Sequence, residues 1–162
     1  MKRLLLFLIL ILLVSCKPWW NVDDDYDPIF PEILSIDASS PQDIGLWLYY
    51  NIDYVGDAIH DMNEYWQSPD QTYQWRSGDC EDFAVLMMYM IRQELGGWPE
   101  LGKGKYYGTG HGWVVYEGRW FEAQYGRDVT NDPNYRLAET VSYGVTMWRS
   151  MNTHKVLERN NE

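Results

Sequence analysis

Residues 83–95 constrain the fold of this chain more than any other stretch. Phe83, Ala84, Met87, Met90, Ile91 and Leu95 recur at helical spacing, and Val85, Leu86, Met88 and Tyr89 fill the remaining faces. A helix that is apolar almost all round must be buried on most sides, so the rest of the domain has to be built around it. The helix is expected to run from about Cys80 to Leu95. Asp79, Glu81 and Asp82 suit the positive end of its dipole, Gly96-Gly97 ends it, and Pro99 prevents a restart. Cys80 then falls in the first turn, among free backbone N–H groups, where a thiol is more easily ionised.

β-Prone runs follow. Lys105 to Thr109 reads as a strand. The clearest hairpin is His111-Gly112-Trp113-Val114-Val115-Tyr116, then Glu117-Gly118, then Arg119-Trp120-Phe121-Glu122-Ala123-Gln124. With Glu117-Gly118 as the two turn residues, Tyr116 pairs with Arg119, Val115 with Trp120, Trp113 with Glu122 and His111 with Gln124. Alternate residues share a face, so His111, Trp113, Trp120, Glu122 and Gln124 point the same way. Glu122 is a diagonal neighbour of His111, within reach of a long side chain. Gln124 lies directly opposite His111 and is the rival for the same role.

Before the central helix, Ser40 suits an N-cap, Pro41 the first helical position and Asp43 the third, with Ile44, Trp47 and Leu48 following at helical spacing. Ile52 to Val55 reads as a short extended piece. Gly56-Asp57 starts a second short helix carrying Ile59, Met62, Tyr65 and Trp66, and Ser68-Pro69 breaks it. Asp70 to Ser77 is a loop or a short helix. Beyond the hairpin, Tyr125 to Asn134 reads as loop, and Val141 to Lys155 as a last strand and a helical tail. The expected fold is α+β: an antiparallel β-sheet packed against a central buried helix, in a single domain over residues 36–162.

The first fifteen residues read as a leader. Lys2 and Arg3 form its charged start, Leu4 to Val14 is almost purely apolar, and the run is short for a bilayer span. Leu13-Val14-Ser15-Cys16 resembles a bacterial lipoprotein signal, in which cleavage precedes a cysteine that is then lipidated. Residues 16–35 would form a lipidated Cys16 and a flexible tether, given Pro18, the Asp23-Asp24-Asp25 run, Asp27-Pro28 and Pro31. The implied location is a bacterial cell envelope, lipid-anchored on the periplasmic or outer surface. The formal net charge is −11; without Lys2 and Arg3 the remaining 11 basic and 24 acidic residues give −13. Such a balance argues against a nucleic-acid partner and permits cationic partners or divalent metal ions. With Cys16 acylated, Cys80 is the one thiol left and has no disulfide partner within the chain.

Cys80, His111 and Glu122 supply a nucleophile, a base and an orienting group. If the hairpin face packs over the start of the central helix, imidazole can take the thiol proton, while the helix end and the imidazolium stabilise the thiolate. Glu122, or Gln124 in its stead, would hold one ring nitrogen so that the other faces sulfur. The backbone N–H of Cys80 or Glu81 could receive a developing oxyanion. Each residue alone has a plainer reading: Cys80 as a small buried hydrophobe, His111 as a satisfied strand residue, Glu122 as a solvent-facing one. His60 and His154 lack comparable partners.

Gly78-Asp79-Cys80-Glu81-Asp82-Phe83-Ala84, then His111-Gly112-Trp113-Val114, then Trp120-Phe121-Glu122, resembles the bacterial transglutaminase-like superfamily, a circularly permuted relative of papain-like cysteine enzymes. Ile52-Asp53-Tyr54-Val55 and Tyr65-Trp66-Gln67-Ser68-Pro69 resemble the approach to the nucleophile in that family. The resemblance covers roughly residues 41–125. It implies catalytic roles for Cys80, His111 and Glu122, although the third position is usually Asp. The Gly-Asp-Cys-Glu-Asp run is also similar to that of periplasmic calcium-dependent proteases, which implies a possible Ca²⁺ site at Asp79, Glu81 and Asp82; the alternative is that these residues only cap the helix. The chemistry itself requires no cofactor. The implied function is a lipid-anchored hydrolase of peptide or amide bonds in a peptide or protein substrate. An acyl transferase with the same triad, or a non-catalytic binding lipoprotein, are the alternatives.

Overall fold

The computed structural model describes residues 22, 24–56 and 65–160, with 154–160 described by their backbone alone. The leader, Cys16, most of the helix expected after Gly56, and the side chains of His60 and His154 lie outside these described residues.

Helix α1 (Pro41–Asn51) begins as its capping residues require: Ser40 is the N-cap, its hydroxyl accepts the Asp43 N–H at 3.2 Å, and Ile44 and Leu48 face the core. Strand β1 (Asp53–Tyr54) pairs in parallel with β2 (Ser77–Gly78), which brings the segment before the central helix alongside residues far upstream. Between them lies α2 (Pro69–Trp75). Ser68-Pro69, expected to break a helix, starts this one, because Ser68 forms a capping box with Gln71 and proline is tolerated in a first turn.

The central helix is α3 (Cys80–Glu94), and every residue from Asp82 to Ile91 is buried. Asp79 is the N-cap and forms a capping box with Asp82. Helices α1 and α2 cover one side of α3, and a sheet covers another.

That sheet has five antiparallel strands in the order β6-β5-β4-β3-β7: β3 (Glu100–Tyr106), β4 (Thr109–Tyr116), β5 (Arg119–Glu122), β6 (Arg127–Asp128) and β7 (Tyr135–Val141). Helix α4 (Tyr143–Asn160) follows β7. The β4–β5 turn is Glu117-Gly118, both at positive φ, as a tight two-residue hairpin needs. Its register pairs Tyr116 with Arg119 and Val115 with Trp120, as the sequence predicts.

Four expectations need correction. Tyr125 to Asn134, expected as loop, contains β6, because Arg127 and Asp128 pair with the end of β5. The strand expected over 105–109 is the end of β3, a turn at Tyr107-Gly108 and the start of β4. The last strand, at 135–141, ends at Val141 rather than beginning there. His111 does not pair with Gln124, because β5 stops at Glu122 and the chain turns there, with the Tyr125 N–H on the Glu122 carbonyl at 3.3 Å.

The stretch 24–35, expected as a tether, carries no helix or strand but is fastened to the domain. Phe30 is buried edge-on against Tyr89, and its N–H donates to the Tyr89 hydroxyl at 3.0 Å. Asp27 pairs with Arg92 at 2.9 Å and accepts the Tyr143 hydroxyl at 3.1 Å. Ile29 stays exposed.

Gly104 marks the closest approach in the sheet. A Cβ there would overlap the Arg136 carbonyl on β7 and lie 2.8 Å from the Trp113 ring. Gly104→Ala is therefore expected to destabilise the domain by about 2 kcal/mol or more, read from urea unfolding. Wild-type stability would mean that β7 can shift away from β3 without cost.

Candidate active site

Cys80 sits in the first turn of α3, and His111 comes from β4. Both line one cleft of about 470 Å³, together with Tyr54, Trp66, Lys103 and Gly112. The packing that the sequence reading made conditional, hairpin over helix start, is the packing observed: Gly112, next to His111, lies against the backbone of Glu81.

His111 Nε2 lies 2.6 Å from Glu122 Oε2. Glu122 is at the end of β5 and only 1% exposed. Its Oε1 accepts the Gln124 backbone N–H at 3.2 Å, and its Oε2 also accepts the Tyr135 hydroxyl at 2.6 Å. Gln124 thus acts here through its backbone on Glu122, and the carboxylate meets the imidazole. Burial pushes the Glu122 carboxyl up, but the bond to His111, the His111 charge, the Tyr135 hydroxyl and the Gln124 N–H outweigh it and hold the carboxyl below its usual range.

The thiol departs from the expectation of easy ionisation. Burial pushes Cys80 far up from its ordinary value, and the Glu81 charge and a hydrogen bond to Glu81 push the same way. The Cys80 Sγ donates to Glu81 Oε2 at 3.0 Å. A backbone hydrogen bond from Gly112 opposes the rise, and the Asp79 charge adds to it. The helix terminus favours the thiolate by only about 0.3–1 kcal/mol at an exposed site, too little against burial and an adjacent carboxylate. This arrangement favours the thiol form of Cys80, with its Sγ on Glu81.

The acidic run divides by role. One ligand atom each from Asp79, Cys80 and Glu81 lie within 4.8 Å of one another. Asp82 stands apart: it is fully buried, Oδ1 accepts the Gln67 N–H at 2.7 Å and Oδ2 the Asp79 N–H at 3.2 Å.

Tyr135 was not foreseen as a member of this site. It lies 24 residues beyond His111 in a stretch whose start reads as loop, and only the pairing of β7 with β3, Tyr135 opposite Tyr106, brings it in. Local spacing carries no signal for such a pairing.

No protein-family model matches the sequence, and no curated protein matches it. Solved structures do. Calcium-bound LapG of Legionella pneumophila aligns with a TM-score of 0.52 at 16% identity, over 82% of this chain and 81% of that one. Another structure of Legionella pneumophila LapG gives a TM-score of 0.51 at 15% identity, over 75% and 77%. The chain has a transglutaminase-like fold. At these identities the likeness concerns the fold, with its antiparallel sheet and helices, and the chemistry rests on the side chains described above.

Glu81→Gln removes both the charge and the anionic acceptor that favour the S–H form, so the thiol pKa should fall. The expected result is a roughly tenfold faster reaction of Cys80 with iodoacetamide at neutral pH, the scale for removing one like charge at contact distance. An unchanged rate would mean that burial alone controls the thiol.

Proposed function

We propose that this protein is a lipid-anchored cysteine hydrolase acting on peptide or amide bonds outside the cytoplasm. The observation that carries the reading is the 2.6 Å bond between His111 and Glu122 in the wall of the cleft that holds Cys80. Because Nε2 is engaged by Glu122, Nδ1 is the nitrogen that takes the Cys80 proton. The thiolate attacks the substrate carbonyl carbon, and the backbone N–H groups at the start of α3 receive the oxyanion. The C–N bond then breaks, and the imidazolium gives its proton to the departing amine. Water, deprotonated by His111, attacks the thioester and releases the acid and the free thiol. The transglutaminase-like fold supports this reading.

Asp79 and Glu81, whose oxygens lie with the Cys80 sulfur within 4.8 Å of one another, are the oxygen donors that would hold a calcium ion. Such an ion would supply positive charge beside the sulfur and offset the two carboxylates that now oppose its ionisation.

The lipid anchor and the envelope location rest on the apolar run Leu4 to Val14 and on Leu13-Val14-Ser15-Cys16. In cells fed a labelled fatty acid, label should enter the wild-type chain and be lost in Cys16→Ser; label retained in that variant removes the anchor.

One observation favours a second reading. The thiol is held by Glu81 as S–H, which a non-catalytic binding protein on this fold would tolerate. The pH dependence of Cys80 alkylation, in the full chain in detergent with and without calcium, separates the two. For the hydrolase, wild type is expected to show an apparent pKa below the free-thiol value of about 8.5 in at least one of these conditions, and His111→Ala should lose it. Cys80→Ser and His111→Ala should keep the fold and abolish amide hydrolysis in a peptide-library screen. A thiol indifferent to His111 in both conditions would favour the binding protein.

A further inference from the structure

We infer that Tyr135 is a positioning residue of this site: its hydroxyl holds the Glu122 carboxylate where that carboxylate can fix the His111 ring. The inference rests on the reading of Cys80, His111 and Glu122 as a working triad. Tyr135 Oη donates to Glu122 Oε2 at 2.6 Å, and His111 Nε2 meets the same oxygen at 2.6 Å. Three donors therefore converge on one buried carboxylate. One of them serves the chemistry, and the other two, Tyr135 and the Gln124 N–H, set its rotation and depth.

Such a clamp has a physical purpose. A glutamate has one more rotatable bond than an aspartate, so its carboxylate needs more restraint to present one oxygen to a ring nitrogen. The tyrosine is itself immobilised. It is 5% exposed, its ring stacks on Tyr106 at 4.4 Å between centroids, and its edge meets Trp113 at 5.5 Å. Its backbone N–H donates to the Asp132 carbonyl at 3.1 Å, and it pairs with Tyr106 across β3 and β7. Burial, the bond to Glu122 and the Glu122 charge push the phenol far above its ordinary value, so the hydroxyl stays a donor throughout the range in which the triad would work.

The plainer role for Tyr135 is packing in the cluster with Trp113, Val115 and Val129. Tyr135→Phe keeps that ring and deletes only the hydroxyl, so the roles separate in a double-mutant cycle. The readout is the rate constant for iodoacetamide at Cys80, in the full chain in detergent, for wild type, Tyr135→Phe, Glu122→Ala and the double variant. Loss of one hydrogen bond to a charged group should slow Tyr135→Phe by roughly tenfold or more. In the Glu122→Ala background the same change should be silent within about twofold, because the hydroxyl has no carboxylate to hold. A wild-type rate in Tyr135→Phe, or equal slowing in both backgrounds, overturns the inference. Should Glu122→Ala not fold, the downfield proton signal of His111 Nε2–H decides. With that restraint gone the carboxylate holds the ring less closely, so the signal should move upfield in Tyr135→Phe; a signal that stays put or moves further downfield overturns the inference. His111→Ala reacting at the wild-type rate would instead remove the triad reading beneath it.

Discussion

The Asp82 carboxylate is the contact on which the placement of Cys80 depends. It is fully buried in the first turn of α3, and its two oxygens accept N–H groups from Gln67 and Asp79. Hydrogen bonds to a charged group contribute about 1.5–3 kcal/mol each, and here they join the segment before α2, the end of β2 and the start of α3. Gly78 lies so close that a Cβ there would sit 2.6 Å from Asp82 Cβ. With Asp82 turned into the protein, Cys80, two residues earlier on the same turn, faces the cleft.

At the mouth of that cleft two electrostatic demands oppose each other. The helix terminus and the Gly112 N–H favour a thiolate, whereas burial and the Glu81 and Asp79 charges favour the thiol, and the latter group wins. The surroundings of Cys80 are thus arranged to favour its S–H form. Offsetting the charge of Glu81 would remove part of the bias toward the thiol. This is a demand on charge rather than on shape, because the His111–Glu122 pair is already formed.

The sheet supplies the rest. Adjacent antiparallel strands bring His111 from β4 and Glu122 from β5 to one face, and β7 adds Tyr135 from the far side of β3. Tyr106, Trp113 and Tyr135 crowd the imidazole, with ring centroids 5.5, 6.2 and 6.0 Å from it. These three rings form a wall that limits how far His111 can turn.

The sequence by itself determined the elements whose signals are local. The all-round apolar run from Phe83 to Leu95 could only be a buried helix, Ser40-Pro41 and Asp79 could only start helices, and Glu117-Gly118 fixed the β4–β5 register, because caps, turns and periodicity act within a few residues. The contact of His111 with Glu122 was legible for the same reason: each sits at a fixed offset from the Glu117-Gly118 turn. Tertiary structure alone decided the rest. β3 was obscured by Gly102 and Gly104, whose small size answers to Trp113 and to the β7 backbone rather than to strand propensity. The state of the thiol depended on burial and on the rotamer of Glu81, and Tyr135 entered through a strand pairing between distant segments. Long-range contacts and desolvation have no local spacing to read, so Cys80, His111 and Glu122 could be singled out from the sequence, but the charge state and the supports of their cleft could not.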